Sequence, residues 1–306
     1  MSLYNNILET IGNTPLVKLN KFKKAYKLNN NFYAKLESFN PANNIKTRPA
    51  FYMIKSLYET KKIDSTYTIV EATSGNTGIG LALVGAYYGN KVIIIMPDKV
   101  SKERIKLIKH YGAKVILTPG DKGITGSIEK AKEIEKQGKV IIPSQFSNPN
   151  NYLSHYETTA KELNNDLKKI DYIFITVGTG GTIRGIAEYF KENKLNTKII
   201  AIEPKNSPVL SGKTKGKHKI AGISPGFIPD IYKADLVDDI ELVDDTKTWQ
   251  ITKEFIKIEG ISIGISSGAA LLAAINYSKR NKLINKNIVC IFPDSGEKYL
   301  STGVFD

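Results

Sequence analysis

A chain of 306 residues can bury a large core, either as one α/β domain or as two domains. Its formal charge of +14 would suit a nucleic-acid partner, but the four arginines are scattered and fit no base-reading or base-stacking pattern, so we expect none. No apolar run approaches the roughly 18 residues of a membrane span, and the N-terminus lacks a signal-peptide pattern. We therefore expect a soluble cytoplasmic protein that does not bind membranes.

Regular secondary structure is predicted by apolar patterning along most of the chain. A turn near 10–15 leads into a strand, and later strands are predicted at 31–37, 67–71, 91–96, 115–117, 140–142, 172–177, 198–203 and around Cys290. Helices are predicted at 49–61, 77–88, 101–111, 124–137, 151–168, 182–193 and 246–259, with others starting near Ser267 and Glu297. This alternation predicts an α/β fold of parallel sheets covered by helices, with ligands at the carboxyl ends of the strands.

The segment 207–242 interrupts this alternation, because it is rich in glycine and proline. We predict a long irregular segment that folds over a site. Cys290 lies in an apolar run and is predicted to be a buried strand residue rather than a reactive thiol. The three histidines are far apart and show no metal-ligand spacing, so we predict no metal.

Lys46 is the first candidate for chemistry. It follows a turn signalled by Pro41 and an asparagine pair, and Pro49 fits the first turn of a helix. A lysine that precedes a helix and is backed by apolar residues is desolvated and lies near the positive end of the helix dipole. Both effects favour the neutral, nucleophilic amine.

Two loops rich in small residues follow predicted strands and open helices. The first runs from Thr73 to Gly78 and offers hydroxyl, amide and backbone N–H donors to a carboxylate. The second, 178–182, has the glycine density that suits a phosphate. It leaves a dinucleotide-binding oxidoreductase open as an alternative, because Glu203 ends the next strand where a ribose-binding acid would lie, although Ile183 breaks the G-x-G-x-x-G pattern.

Two further loops near the C-terminus, 264–270 and 293–298, place small hydroxyl residues at strand ends or helix starts. One lysine nucleophile, an anion loop, a phosphate loop and several hydroxyl donors together fit a pyridoxal phosphate enzyme. No Ser-His-Asp or paired-carboxylate arrangement competes with this set in the sequence.

These motifs occur in one order over nearly the whole chain: 12–16, 40–46, 73–78, 145–149, 178–182, 264–268 and 295–300. In this order the chain resembles the cysteine synthase (O-acetylserine sulfhydrylase) family, which also includes cystathionine β-synthase. The resemblance implies pyridoxal 5'-phosphate and the tryptophan-synthase-β-like fold type II, with two domains that are each a mostly parallel sheet flanked by helices. It implies a larger cofactor-binding domain, 1–39 plus 146–306, and a smaller mobile domain, 40–145, which carries the substrate-carboxylate loop.

The resemblance also implies roles for single residues. Lys46 would form the internal aldimine with the cofactor and then remove the α-proton of the substrate. Asn76 would hydrogen-bond the 3-oxygen of the pyridine ring, and Ser295 the ring nitrogen. The cofactor phosphate would be held by Gly178, Thr179, Gly180, Gly181 and Thr182. The substrate carboxylate would be bound by Thr73, Ser74, Thr77 and Gln145.

The implied reaction is β-replacement, in which O-acetylserine and sulfide give cysteine through an aminoacrylate, in a homodimeric enzyme. The chain departs from the family pattern at Ser224 and Pro225, where small residues are usual, and has Asp230 and Asp235 close behind. These four residues are candidates for altered reaction choice, since an acid there would activate water or a second amino acid. The alternative reaction consumes cysteine and releases sulfide, giving serine, pyruvate or lanthionine.

Overall fold

The computed structural model describes residues 3–306, which form ten strands and ten α-helices. The strands are β1 (Leu16–Lys18), β2 (Asn31–Leu36), β3 (Thr68–Ala72), β4 (Lys91–Pro97), β5 (Lys114–Thr118), β6 (Val140–Ile141), β7 (Tyr172–Thr176), β8 (Lys198–Pro204), β9 (Asp239–Val243) and β10 (Asn287–Phe292). The helices are α1 (Asn20–Ala25), α2 (Thr47–Glu59), α3 (Asn76–Tyr88), α4 (Lys102–His110), α5 (Gly123–Glu135), α6 (Pro149–Ser154), α7 (Lys161–Asp166), α8 (Gly181–Glu192), α9 (Asp245–Glu259) and α10 (Ile265–Arg280).

The strands form two sheets. The larger sheet has the order β1-β2-β10-β7-β8-β9, in which only the edge strand β1 is antiparallel to its neighbour. The smaller sheet has the order β5-β4-β3-β6 and is parallel throughout. The α/β class and the mostly parallel sheets predicted from the sequence are therefore confirmed.

The two sheets draw on different parts of the chain. All strands of the smaller sheet lie between 68 and 141, which is inside the range 40–145 assigned to the smaller domain. The strands of the larger sheet lie in the two remaining ranges. The precise domain boundaries and the mobility of the smaller domain stay predictions.

Both faces of the larger sheet are buried, and β10 shows how the sequence achieves this. Ile288, Cys290 and Phe292 belong to the core beneath α9 and α10, whereas Val289 and Ile291 belong to the core on the opposite face with α8. Alternate residues of a strand point to opposite faces, so a strand that is covered on both sides must be apolar throughout. Cys290 is fully buried, as predicted, and burial raises the pKa of its thiol.

Three details of the fold differ from the sequence predictions. The segment 207–242 was predicted to be irregular, but its end forms the edge strand β9, in which the acidic residue Glu241 is buried where an apolar residue is usual. The helix predicted at 151–168 begins at Pro149 and contains a π-helical stretch, His155–Ala160, between α6 and α7. The short helix α1 was not predicted. Inserted π turns are frequent at functional sites, and this one places His155 beside the loop that follows β7.

Candidate active site

A cavity of about 480 Å³ lies where the loops after β3, β4, β7 and β10 converge. The N-terminus of α10 and the irregular segment between His218 and Pro225 complete its wall. This is the position that strand carboxyl ends favour in parallel sheets. Of the residues assigned to chemistry from the sequence, the cavity wall includes Lys46, Thr73, Ser74, Asn76, Thr77, Gln145, Gly178, Thr179, Gly180, Thr182, Ser224 and Pro225.

Lys46 lies in the cavity wall immediately before α2, which begins at Thr47 with Pro49 in its first turn. The side chain is reached from the cavity, yet protein atoms surround its amine, and this desolvation lowers the pKa of Lys46 to about 8. Its Nζ donates to Thr179 Oγ1 at 3.1 Å. The predicted desolvation is therefore present, and the amine is directed at the phosphate loop.

The backbone that carries Lys46 is fixed to the end of β10. The amide of Ile45 donates to the carbonyl of Pro293 at 2.8 Å, and Asn44 forms an isolated bridge with Asp294. The side-chain oxygen of Asn44 also accepts from the amide of Lys46 at 2.9 Å. Because these contacts constrain both sides of the loop, the position of Lys46 is set by the larger sheet.

A buried ionic cluster lies behind the Lys46 loop. Arg48 donates through Nε and Nη2 to both carboxylate oxygens of Glu37, at 2.7 Å each, and through Nη1 to Glu162 at 2.6 Å. The buried amine of Lys35 lies 2.9 Å from Glu162. Burial alone would raise the pKa of Glu162, but Arg48 and Lys35 lower it to about 2. The cluster joins the first turn of α2 to β2 and α7.

The loop after β7 has no room for side chains at its glycines. A Cβ on Gly178 would lie 2.7 Å from the carbonyl oxygen of Gly222, and one on Gly181 would collide with the carboxamide of Asn151. Gly180 has a φ of +83°, which favours glycine. The amides of the loop lead into the twelve-residue helix α8, whose N-terminus favours an anion.

His155 supports the phosphate loop from behind. It is fully buried, and its Nε2 lies 3.2 Å from Thr182 Oγ1 while its Nδ1 lies 2.9 Å from Thr159 Oγ1. Burial, together with the charges of Lys46 and Arg48, holds the pKa of His155 well below its usual value. The ring is therefore neutral and acts as a hydrogen-bond partner for the threonines.

The loop after β3 leads directly into α3, and its side chains bridge to other elements. Thr77 Oγ1 donates to Gln145 Oε1 at 2.6 Å, so two residues that are 68 positions apart form one unit. Asn76 Nδ2 donates to Asp294 at 2.8 Å. The carboxamide oxygen of Asn76 is buried and has no hydrogen-bond partner among residues 3–306.

Asn151 connects the two anion loops and was not identified from the sequence. Its Nδ2 donates to the carbonyl of Gln145 at 2.6 Å and to Thr179 Oγ1 at 3.1 Å. Glu71, whose pKa burial raises to about 8, accepts from the amide of Gln145 at 3.3 Å. A continuous chain of hydrogen bonds thus runs from Lys46 through Thr179, Asn151 and Gln145 to Thr77.

The structure separates the remaining hydroxyl candidates. Ser266, in the first turn of α10, lies in the cavity wall, whereas Ser295 does not. Asp230 and Asp235 are exposed and do not line the cavity. A role for either acid in activating a nucleophile stays a prediction, and it would require movement of the segment that carries them.

These residues fit pyridoxal phosphate. The glycine-rich loop at the start of α8 suits the phosphate of the cofactor, and the desolvated amine of Lys46 suits covalent attachment. The carboxamide oxygen of Asn76, which has no hydrogen-bond partner among residues 3–306, suits a polar contact with the cofactor ring. A family model described as pyridoxal-phosphate dependent enzyme matches residues 7–294. The chain therefore belongs to this family of pyridoxal-phosphate dependent enzymes.

Within that family the chain is similar to cysteine synthases. It is 43% identical to a probable cysteine synthase of Bacillus subtilis, over 100% of this chain and 99% of the relative. A crystal structure of a hydrogen sulfide-producing enzyme from Fusobacterium nucleatum shares 44% identity, with a TM-score of 0.93 over 97% of this chain and 100% of that chain. A cysteine synthase from Entamoeba histolytica shares 42% identity, with a TM-score of 0.94 over 99% and 91%. These findings favour the pyridoxal-phosphate interpretation over the oxidoreductase alternative.

Metal-binding clusters and membrane-spanning helices are both absent from the described residues. Residues 3–306 contain no group of three or more His, Cys, Asp or Glu side chains that could hold a metal ion. No helix in this range has the length and apolar character needed to cross a membrane.

Proposed function

We propose that this protein is a cysteine synthase that converts O-acetylserine and sulfide into cysteine and acetate. The observation that carries the proposal is the position of Lys46, whose amine contacts the phosphate loop and is linked by hydrogen bonds to the predicted substrate-carboxylate loop. The names of the relatives from Bacillus subtilis and Entamoeba histolytica support it. The exposed apolar side chains of Leu3, Tyr4 and Ile7 are compatible with the homodimer that we infer.

Each anionic or polar part of the ligands has candidate partners. The backbone amides and hydroxyls of 178–182 would hold the cofactor phosphate, and Asn76 would contact the ring. The substrate carboxylate would bind at the N-terminus of α3, where the hydroxyls of Thr73 and Ser74, the backbone amide of Thr77 and the carboxamide of Gln145 would supply donors. When bound, pyridoxal phosphate supplies an electron sink that stabilises negative charge at the α-carbon of the substrate.

We propose Ser266, rather than Ser295, as the partner of the ring nitrogen, because only Ser266 lies in the cavity wall. A hydroxyl does not hold that nitrogen protonated as a carboxylate would. This limits the spread of negative charge and favours loss of the β-substituent over transamination. Lys46, with a pKa near 8, would move the proton at the α-carbon.

The proposed reaction can be tested on the purified, cofactor-loaded enzyme. We expect O-acetylserine and sulfide to give cysteine, and we expect cysteine alone to release sulfide more slowly. Product analysis by chromatography, with sulfide measured separately, gives both rates in one buffer. Rapid sulfide release from cysteine without any cysteine synthesis would overturn the proposal.

Cysteine consumption remains a second candidate because of the geometry of Ser224. This residue has a φ of +47°, and its hydroxyl donates to the carbonyl of Ser207 at 2.9 Å and lies 3.0 Å from Ser207 Oγ. Its amide donates to the carbonyl of Val177 at 2.9 Å, immediately before the phosphate loop. Ser224 and Pro225 therefore form a fixed rim of the cavity, and we propose that this rim influences reaction choice.

We expect Ser224→Gly to change the ratio of cysteine synthesis to sulfide release by about threefold or more while leaving stability nearly unchanged. Glycine adopts the left-handed backbone conformation without strain. This gain offsets the loss of about 1 kcal/mol for each hydrogen bond of the hydroxyl. Ser207→Ala is the matched control, since it removes only one of the two partners and leaves the cavity wall unaltered. Equal ratios in the wild type and Ser224→Gly would exclude Ser224 from reaction choice.

A further inference from the structure

Two polar side chains at the start of α4 lie in the cavity wall without an assigned role. Ser101 is 8% exposed and Arg104 is 6% exposed. Ser101 Oγ and Arg104 Nε have no hydrogen-bond partner in the described part of the chain. Buried polar atoms are normally paired, because an unmade hydrogen bond is costly. Two such atoms on one wall of a cavity indicate a ligand.

The local structure explains why the hydroxyl of Ser101 is available to bind a ligand. Ser101 is the N-cap residue of the nine-residue helix α4, but its side chain makes no capping hydrogen bond. A serine at this position ordinarily bonds to an amide of the first turn. Its hydroxyl and the N–H groups of that turn are therefore available together, at the end of the helix that favours an anion.

Arg104 contacts an aromatic ring and a glycine, and it forms no salt bridge with an acid among residues 3–306. Its guanidinium carbon lies 4.7 Å from the centre of the Tyr299 ring. A Cβ on Gly75 would lie 2.9 Å from Arg104 Nε. Arg104 therefore lies near both Tyr299 and the substrate-carboxylate loop, and its charge is not neutralised by a salt bridge among residues 3–306.

The charge of the cavity points to an anionic ligand. Lys46, Arg104 and Lys219 line it without a salt bridge among the described residues, whereas Lys99 lines it but is paired with Asp121. No Asp or Glu among the described residues lines it. In the proposed function, the loop before α8 binds the cofactor phosphate, and the loop before α3 binds the substrate carboxylate. Arg104 contacts the second of these loops only at Gly75, and α4 carries neither loop, so the charge of Arg104 is available for a third anion.

We propose that Ser101, Arg104 and the first-turn amides of α4 form a subsite for the sulfur donor, bound as a small sulfur anion. A sulfur nucleophile reacts as its anion rather than as the thiol, and both a guanidinium and a helix N-terminus favour the anion. The contact of Arg104 with Gly75 places this subsite beside the substrate-carboxylate loop. The assignment to the sulfur donor rests on the proposed function, whereas the binding of an anion does not.

The binding part is tested by calorimetric titration of the cofactor-loaded enzyme with inorganic thiosulfate, without the amino-acid substrate. We expect Arg104→Met to weaken thiosulfate binding by about tenfold or more and Ser101→Ala by about threefold or more. Lys99→Gln is the control, because Lys99 also lines the cavity but is 71% exposed and paired with Asp121, so we expect a change below about twofold. Unchanged affinity in both Ser101→Ala and Arg104→Met would overturn the subsite.

The assignment to the sulfur donor is tested by kinetics. We expect Ser101→Ala, which leaves the Gly75 contact intact, to raise the KM for sulfide by about threefold or more while acetate release from O-acetylserine without sulfide stays within about twofold. Arg104→Lys keeps the charge and should retain most thiosulfate affinity, which separates loss of charge from disturbance of Gly75. Weakened thiosulfate binding with an unchanged KM for sulfide would refute this assignment. If the wild type releases no acetate from O-acetylserine, the proposed function is wrong. The thiosulfate titration still decides in that case whether the anion subsite exists.

Discussion

Exchange of Lys46 for glutamine is expected to lower the rate of cysteine formation by at least about 10³-fold. The amine is the only lysine nitrogen hydrogen-bonded to the phosphate loop among residues 3–306, and glutamine cannot attach the cofactor or accept a proton. The measurement is steady-state turnover, together with borohydride reduction and peptide mass analysis. In the wild type, the reduced cofactor should be found on the peptide that contains Lys46.

The covalent attachment of the cofactor to Lys46 should depend on pH, because the pKa of Lys46 is lowered. Starting from protein stripped of cofactor, the rate of covalent capture should rise with pH and level off above about 8, since the neutral amine is the reactive form. Lys298 provides the control. Burial lowers its pKa as well, but its Nζ donates to the carbonyl of Asn43 and it does not line the cavity. Capture that persists in Lys46→Gln, or that moves to Lys298, would contradict the assignment.

Replacement of Arg48 by methionine is expected to lower the free energy of unfolding by about 3–5 kcal/mol, because it leaves the carboxylate of Glu37 buried without its guanidinium. Urea denaturation followed by fluorescence measures this change. Lys55→Met is the control on the same helix, since Lys55 and Glu59 are 45% and 63% exposed and their pair contributes little. A loss no larger than that of the control would show that the cluster does not stabilise the fold.

The same cluster predicts an acid dependence with a defined sign. The pKa of Glu162 is about 2 in the folded protein, below its value of about 4.3 in an unfolded chain. A lowered pKa contributes stability that is present above about pH 4.3 and is lost as pH falls towards 2. The melting temperature of the wild type should therefore fall across this window, and the slope should flatten in Arg48→Met.

Local patterns were sufficient to single out Lys46 and two loops that the structure places in the cavity wall, while their roles stay predictions. Each loop is a short run of glycine and hydroxyl residues between a strand and a helix, and such runs are visible without tertiary information. The alternation of apolar runs likewise gave the parallel sheets. The features that could be predicted are thus those that residues close together in the sequence determine.

The parts that sequence reasoning missed depend on contacts between distant residues. Asn151 is important because it bonds to Thr179, which is 28 positions away, and an asparagine in a polar stretch carries no sign of this. Ser266 and Ser295 each follow a plausible loop pattern, and only the folded chain shows that Ser266 lies in the cavity wall and Ser295 does not. The strand β9 was missed because it is short and its buried positions include Glu241, which an apolar pattern does not identify.

The place of β10 in the larger sheet has a consequence for the synthesis of this protein on the ribosome. β10 lies between β2 and β7, and its end holds the Lys46 loop through Pro293 and Asp294. The chain as far as Phe292 must therefore emerge before the centre of the sheet closes, and contacts of such long sequence separation form slowly. A nascent chain that already contains Lys46 and both anion loops would still lack the strand that brings them together.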